Sequence, residues 1–129
     1  MADRAILLDT HALIWWAVAD RSLSKKVRRF VEDEAATILV SAATAWEIAT
    51  KVRLGKLRWQ NPGSLEAYCA DQRFELLAIS FSHAERAGSW PQQHADPFDR
   101  MLAAQSVIEG VPLATNDAKL EAFGLEVVW

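Results

Sequence analysis

The chain has 129 residues, the length of one domain, and 51% of them are hydrophobic while 24% are charged. That balance excludes a disordered chain, and the single cysteine, Cys69, excludes an internal disulfide and a thiolate metal cluster. The net charge of −3 excludes a surface that is basic overall, so a nucleic-acid partner would have to meet local basic patches.

The sequence shows no sign of a secretion signal or a membrane span. Its N-terminus lacks a basic region followed by a long apolar stretch, and no apolar run approaches the roughly 20 residues that cross a bilayer. The lone cysteine suits a reducing compartment. We therefore expect a cytoplasmic protein without a membrane partner.

Short apolar runs alternate with helical patterns along the chain. In chain order, strands are predicted at 5–8, 38–40, 76–79, 112–114 and 126–128, and helices at 10–19, 24–34, 43–54, 63–73, 81–89, 97–109 and 117–122. The helix at 97–109 has the best boundary signals, because Asp96 can cap it, Pro97 suits its first position and Gly110 can end it. The alternation predicts βαβ units, a parallel sheet and a single domain over residues 1–129.

Acidic residues follow the predicted strands. Asp9 comes after the first strand, Asp117 after the fourth, and Glu47 lies early in the helix after the second. Asp96 and Asp99 open a helix whose N-terminus should lie on the same side. Parallel sheets bind ligands beyond the carboxyl ends of their strands, where the strand order reverses. We therefore expect these carboxylates to meet at one end of the sheet.

Each acid also has a structural interpretation. Asp9 and Asp96 precede predicted helices and can be N-caps, and Asp117 stands in TND, a natural turn and cap sequence. Asp99 suits the first turn of its helix, where the dipole favours an acid. Glu47 can form a capping box with Thr44 or an ion pair with Lys51. Taken one at a time, each acid is better explained by its structural role.

The joint placement of the acids favours a metal site instead. Carboxylates held close together repel unless a cation neutralises them, and Mg²⁺ prefers oxygen ligands. The three histidines, His11, His83 and His94, show no spacing typical of metal ligands, which argues against zinc. His11 lies near the predicted site and could touch a substrate, although a structural or exposed role explains it better. Metal-assisted phosphodiester hydrolysis is the chemistry that suits such a site.

Four stretches of the sequence resemble the PIN-domain ribonucleases, and more narrowly the VapC-like toxins of type II toxin–antitoxin modules. The stretches are LLDTHALIWW at 7–16, SAATAWEIATKVRLGKL at 41–57, HADPFDRMLAAQS at 94–106 and LATND at 113–117. Their order and spacing span nearly the whole chain. Catalytic, metal-binding acids are implied by this resemblance at Asp9, Glu47, Asp99 and Asp117. It adds Thr115 and Asp96 as candidate helpers, with the alternative that Asp96 only caps its helix.

The resemblance further implies an α/β fold, a three-layer α/β/α sandwich around a five-stranded parallel sheet. The implied activity is endoribonuclease cleavage of RNA that depends on Mg²⁺ or Mn²⁺, carried out by a homodimer. The implied partner is a small antitoxin of the VapB type, whose C-terminal tail covers the active site.

Two groups of side chains lie outside the predicted metal site. Arg53, Lys56 and Arg58 could contact RNA phosphates or form a solvated face. Three of the six tryptophans lie near the motifs, and we expect them to pack in the core or in an interface rather than to stack on RNA bases. These three are Trp15, Trp16 and Trp46.

Other protein classes fit the sequence less well. A haloacid-dehalogenase-like phosphatase needs a second aspartate two residues after the first, where this chain has His11. A phosphoryl-receiver domain needs an aspartate at the end of the third strand, where LLAISF contains none. Rossmann and P-loop sites need a glycine-rich loop that does not follow the first strand. A non-catalytic PIN-like module that binds RNA or protein stays open, because a fold does not prove an activity.

Overall fold

The computed structural model describes residues 4–129, which form a sheet of five parallel strands with helices around it. The strands are β1 (Ala5–Leu8), β2 (Thr37–Ser41), β3 (Glu75–Leu77), β4 (Leu113–Ala114) and β5 (Val127–Val128), in the spatial order β3-β2-β1-β4-β5. Every neighbouring pair is parallel. The predicted sheet is confirmed, and each strand begins and ends within two residues of its predicted bounds.

Six α-helices and one 3₁₀ helix connect the strands in residues 4–129. They are α1 (Thr10–Ala17), α2 (Lys25–Glu32), α3 (Ala42–Arg53), α4 (Leu65–Gln72), α5 (Phe81–Ser89), α6 (Pro97–Glu109) and the 3₁₀ helix (Ala118–Phe123). The α-helix predicted at 117–122 is therefore wrong in type, since this short connector takes the tighter form. No helix in this part of the chain has the length and apolar character to cross a bilayer.

The boundaries of α6 follow the predicted signals. Asp96 is its N-cap, Pro97 occupies the first turn, and Gly110 ends it in a left-handed conformation with φ of 69°. A residue with a Cβ atom is strained at that φ, so glycine suits the position.

The strands pack against hydrophobic clusters on both faces of the sheet. On β1, Ile6 and Leu8 belong to one cluster, which includes Leu13 of α1. Leu7 points the other way, into a second cluster with Leu102 of α6. This alternation is the period of a strand that is buried on both faces. It confirms the three-layer α/β/α sandwich.

The strand order places a crevice between β1 and β4. After β1 the chain adds β2 and β3 on one side, and then returns to place β4 and β5 on the other. The connections that leave β1 and β4 therefore diverge, which opens a space at their carboxyl ends. Asp9 follows β1 there, and its backbone N–H donates to the carbonyl of Ala114 in β4 at 3.0 Å.

Candidate metal centre

A cleft of about 230 Å³ opens at the carboxyl ends of β1 and β4. We call it the acidic cleft, because half of its ten lining residues carry a carboxylate. These are Asp9, Thr10, His11, Glu47, Lys51, Asp96, Asp99, Thr115, Asn116 and Asp117. All the acids singled out in the sequence are therefore brought together, and so is Thr115.

Asp9 both caps a helix and lines the cleft. It is the N-cap of α1, where its Oδ1 accepts a hydrogen bond from the backbone N–H of Ala12 at 2.7 Å. The residue is only 8% exposed. Burial raises the pKa of Asp9 to about 6, although hydrogen bonds from Ala12 and Thr115 lower it, and the charge of Asp99 raises it further. An ionised Asp9 is thus poorly solvated by water.

The raised pKa of Asp9 predicts how Asp9→Asn changes stability. The folded state binds the Asp9 proton more tightly than the unfolded state does, so the free energy of unfolding falls as the pH rises from about 4 to about 6. Asparagine cannot ionise and is an equally good N-cap, so the variant should gain up to about 3 kcal/mol near pH 7 and little near pH 4.

Urea unfolding in EDTA, near pH 4 and near pH 7, measures this difference. A saturating divalent cation should stabilise the wild type near pH 7 and shrink the gap, since a cation neutralises the buried charge. An Asp9→Asn variant less stable than wild type near pH 7 would contradict the prediction.

Asp96 and Asp99 divide two roles at the start of α6. Asp96 Oδ1 accepts from the backbone N–H groups of Phe98 at 2.8 Å and of Asp99 at 3.1 Å, so Asp96 is the cap, as predicted. The Asp99 carboxylate instead contacts an imidazole, with His94 Nε2 at 2.9 Å from its Oδ2. Burial raises the pKa of Asp99, the hydrogen bond with His94 lowers it, and the charges of Asp96 and Glu47 raise it.

His94 is a functional candidate that the sequence patterns did not single out. Its ring nitrogen and carboxylate oxygens of Asp99 and Asp117 all lie within 4.8 Å of one another. The histidine precedes α6 in an irregular loop, so no helix or strand period relates it to Asp99. The only feature of the sequence that could have indicated His94 is its closeness to Asp99, since it lies five residues before Asp99 and two residues before the N-cap Asp96.

Arg100 holds the loop that carries His94. Its guanidinium donates four hydrogen bonds of 2.6 to 3.0 Å to backbone carbonyls. The acceptors are Ala87, Trp90, Gln92 and His94. Bonds from a charged donor to several carbonyls restrain a segment that no sheet or helix supports. The His94 backbone is therefore fixed relative to α6 and to Asp99.

Glu47 is buried in α3 and uses both of its oxygens. Oε1 accepts from the hydroxyl of Thr10 at 2.5 Å, and Oε2 accepts from the ammonium of Lys51. The predicted ion pair with Lys51 is confirmed. The predicted capping box with Thr44 is wrong, because Ser41 is the N-cap of α3 and Thr44 lies within the helix. Glu47 thus carries Lys51, a second residue that the sequence patterns did not place at the site, into the acidic cleft.

Thr115 links the two sides of the cleft. It is buried at the end of β4, and its Oγ1 accepts from the backbone N–H of Asp117 at 3.2 Å. Asp117 in turn caps the 3₁₀ helix, since its Oδ1 accepts from the backbone N–H of Lys119 at 3.1 Å. The Thr115 hydroxyl also lowers the pKa of Asp9. One buried hydroxyl therefore positions Asp117 and favours the ionised form of Asp9.

The basic residues named for RNA lie beyond the cleft. Three basic side chains are exposed at the end of α3 and just after it, namely Arg53, Lys56 and Arg58. None of them is among the described residues that line the cleft. His11 is exposed at the cleft and its ring centroid lies 5.5 Å from that of Trp15.

The three tryptophans near the motifs differ in their surroundings. Trp15 and Trp16 are half-buried against the core, as predicted, and Trp16 Nε1 donates to Gln72. Trp46 is 58% exposed and meets Phe98 edge-on, with centroids 4.8 Å apart. It is therefore not a core residue, and its packing in an interface stays a prediction.

The model of the PIN domain family matches residues 6–125. The chain belongs to the PIN domain family. Ribonuclease VapC22 of Mycobacterium tuberculosis is 25% identical over 118 residues, which cover 91% of this chain and 90% of that protein. The family predicted from the motifs is confirmed, and the similarity to VapC22 agrees with the narrower resemblance.

Solved structures show the same fold as this PIN domain. VapBC2 of Rickettsia felis, bound to a promoter DNA fragment, has a TM-score of 0.69 at 18% identity and covers 97% of this chain and 98% of its own. A toxin–antitoxin complex from Klebsiella pneumoniae has a TM-score of 0.64 at 21% identity and covers 96% of both chains. These similarities extend over the whole sandwich.

The residues of this PIN domain fit a divalent cation. The cleft offers carboxylate oxygens, the ligands that Mg²⁺ and Mn²⁺ prefer, from four separate parts of the fold. Burial destabilises the ionised forms of Asp9 and Asp99, and a cation would relieve that cost. An ion held here would meet fixed ligands, because Asp9 and Asp117 are each anchored by a cap bond.

Proposed function

We propose that this PIN domain is a divalent-metal-dependent endoribonuclease that acts as the toxin of a type II toxin–antitoxin module. The observation that carries the proposal is the gathering of Asp9, Glu47, Asp99 and Asp117 around one cleft at the point where the strand order reverses. Its similarity to a protein named Ribonuclease VapC22 supports the activity. The solved toxin–antitoxin complexes with this fold support the biological role.

In this proposal the four acids implied by the resemblance surround the metal, and Asp9, Asp99 and Asp117 bind it directly. Glu47, also expected to bind the metal, completes the negative charge around it, because both of its oxygens already accept hydrogen bonds. Mg²⁺ or Mn²⁺ at this site would supply an activated water and stabilise charge on the oxygens of the phosphodiester. Thr115 positions Asp117 through its hydroxyl, while Asp96 fixes the start of α6.

Lys51 has a part in the same proposal. Glu47 holds its ammonium within the acidic cleft, and contact with Glu47 raises the pKa of Lys51, so the group stays charged. A positive charge beside the carboxylates can attract an RNA phosphate that the acids alone would repel. Lys51 therefore offsets part of the cost of bringing an anionic substrate to an acidic site.

The proposed partners are RNA in the cytoplasm, a second copy of the chain and an antitoxin of the VapB type. The acidic cleft suits inhibition by an arginine, because a guanidinium pairs with carboxylates through two parallel hydrogen bonds. Such an arginine would occupy the position of the metal. The solved toxin–antitoxin complexes with this fold support an antitoxin partner.

We propose that the exposed basic residues at the end of α3 and just after it contact RNA phosphates. Replacing Arg53, Lys56 and Arg58 together with glutamine should weaken RNA binding at every sequence, since phosphate contacts carry no base information. The slope of log affinity against log salt should become shallower by about 0.7 for each phosphate that the variant no longer neutralises. A salt titration of RNA binding in EDTA measures this slope.

A charge-matched control variant replaces three exposed basic residues of α2 with glutamine. An unchanged slope in the triple variant of Arg53, Lys56 and Arg58 would contradict the proposed phosphate binding. The control positions are Lys25, Lys26 and Arg29.

The experiment that tests the proposed function incubates the purified protein with total cellular RNA. Cleavage at defined positions should occur with Mg²⁺ or Mn²⁺ and stop in EDTA, and added metal should restore it. RNA that is bound but never cut, with any divalent metal, would favour the non-catalytic binding module instead. Cleavage that continues in EDTA would contradict the metal-dependent site.

A further inference from the structure

The imidazole of His94 lies among acids that the proposed function assigns to a metal ion. Its Nε2 is 2.9 Å from Asp99 Oδ2, and one ligand atom from each of His94, Asp99 and Asp117 fits within 4.8 Å. We propose that His94 is a direct metal ligand, so that the centre is a mixed nitrogen and oxygen site rather than an all-carboxylate one. This inference rests on the proposed function, because it concerns the same metal.

The spacing of the two atoms suits ligands of one ion. Two ligands at right angles about a divalent cation, each about 2.1 Å from it, lie about 3.0 Å apart. The measured separation of His94 Nε2 and Asp99 Oδ2 is 2.9 Å. The two atoms could therefore exchange their shared proton for an ion with little movement of either side chain.

The surroundings of His94 hold its ring in this place. Its side chain is 20% exposed, and its ring meets Phe123 edge-on with the centroids 6.1 Å apart. Arg100 donates to its backbone carbonyl at 3.0 Å and to other carbonyls of the same loop. A ligand restrained in both backbone and ring loses little freedom when it binds an ion.

A nitrogen ligand changes which ions the site prefers. Mg²⁺ is bound in proteins by carboxylates and waters, whereas first-row transition ions also accept imidazole. We therefore expect Mn²⁺ and the later first-row ions to bind more tightly than Mg²⁺. Loss of the His94 imidazole should remove a large part of this difference in affinity. His11 also lines the cleft but belongs to α1, and it provides a matched histidine control.

The test uses Mn²⁺ as the probe and pulsed electron paramagnetic resonance as the readout. Wild-type protein with bound Mn²⁺ should show electron spin-echo modulation from a directly bound ¹⁴N nucleus. Labelling histidine with ¹⁵N should replace that signal with the ¹⁵N pattern. His94→Gln should lose it, while His11→Gln should keep it. Glutamine can still donate to Asp99, so this variant separates metal ligation from the orientation of the carboxylate.

Binding titrations provide a second measurement on the same variants. His94→Gln should weaken Mn²⁺ binding by about tenfold or more and should change Mg²⁺ binding less, so the ratio of the two affinities falls. Circular dichroism verifies that His94→Gln is folded. The nitrogen modulation of the wild-type protein tests the proposal even if no variant folds.

The outcomes separate the two proposals. Bound Mn²⁺ with no nitrogen modulation, or a nitrogen signal that survives in His94→Gln, would overturn the role of His94 and leave the metal-dependent nuclease intact. Failure of the wild type to bind either Mn²⁺ or Mg²⁺ would overturn both.

Discussion

Replacing Asp99 with asparagine is expected to lower the rate of RNA cleavage by more than about 100-fold. Replacing a residue that only hydrogen-bonds a metal ligand lowers metal affinity or activity by about 10 to 100-fold, and Asp99 is proposed as a direct ligand. The substitution keeps the shape of the side chain and its contact with His94 but removes the charge that attracts the cation. The rate of cleavage of one RNA, measured at several Mg²⁺ concentrations, tests this. Excess Mg²⁺ should recover part of the activity if the loss is mainly in metal affinity.

Asp96→Asn is the matched control for this prediction. The two aspartates are three residues apart at the start of the same helix, but Asp96 uses Oδ1 to accept two backbone N–H groups, and asparagine caps a helix equally well. This variant should keep most of the activity. Cleavage as slow as in Asp99→Asn would show that Asp96 also binds the metal. Loss of the circular dichroism spectrum in Asp99→Asn would indicate instead a structural role for Asp99.

Expression of this chain alone in a bacterium is expected to arrest growth, and Asp9→Asn or Asp117→Asn should restore growth to the rate of an empty vector. Both acids line the cleft, and in both variants asparagine can preserve the cap bond. Arrest by wild type with relief by both variants would therefore tie toxicity to the charge of the cleft. Growth curves at matched protein levels, with RNA integrity followed in parallel, measure the effect.

Co-expression of the cognate antitoxin should relieve the arrest by wild type. A basic antitoxin residue that pairs with the carboxylates would compete with the metal, so its removal should weaken the relief. Equal arrest by the wild type and both variants would contradict the nuclease mechanism. Normal growth with intact RNA under wild-type expression would favour the binding module.

Several parts of the fold were predictable because they depend on neighbours in sequence. The strands were marked by short apolar runs, and the alternation of strands with helical patterns implies a parallel sheet whatever the packing details. The ends of α6 were marked by Asp96, Pro97 and Gly110, whose effects act within one turn. The position of Asp9 after β1 also required no knowledge of the rest of the chain.

Helix capping and a place in the cleft, which the sequence patterns present as alternatives, are combined in Asp96 and also in two of the proposed metal ligands. Asp9 and Asp117 are both N-caps and both line the acidic cleft. A carboxylate has two oxygens, so one cap bond does not exhaust it. The capping interpretation of these two acids was therefore correct and did not exclude the functional one.

The sequence by itself determined the parallel sheet with its helices, the strand ends and the acids that follow them, because these depend on local propensity and on periods of two and 3.6 residues. The three-layer sandwich was implied by the family resemblance. Only the tertiary structure decided which other side chains contact these acids. His94 reaches Asp99 through a loop held by Arg100. Glu47, which holds Lys51 one turn further along α3, meets Thr10 of α1. Such contacts join residues from different elements, and no sequence period encodes the distance between them.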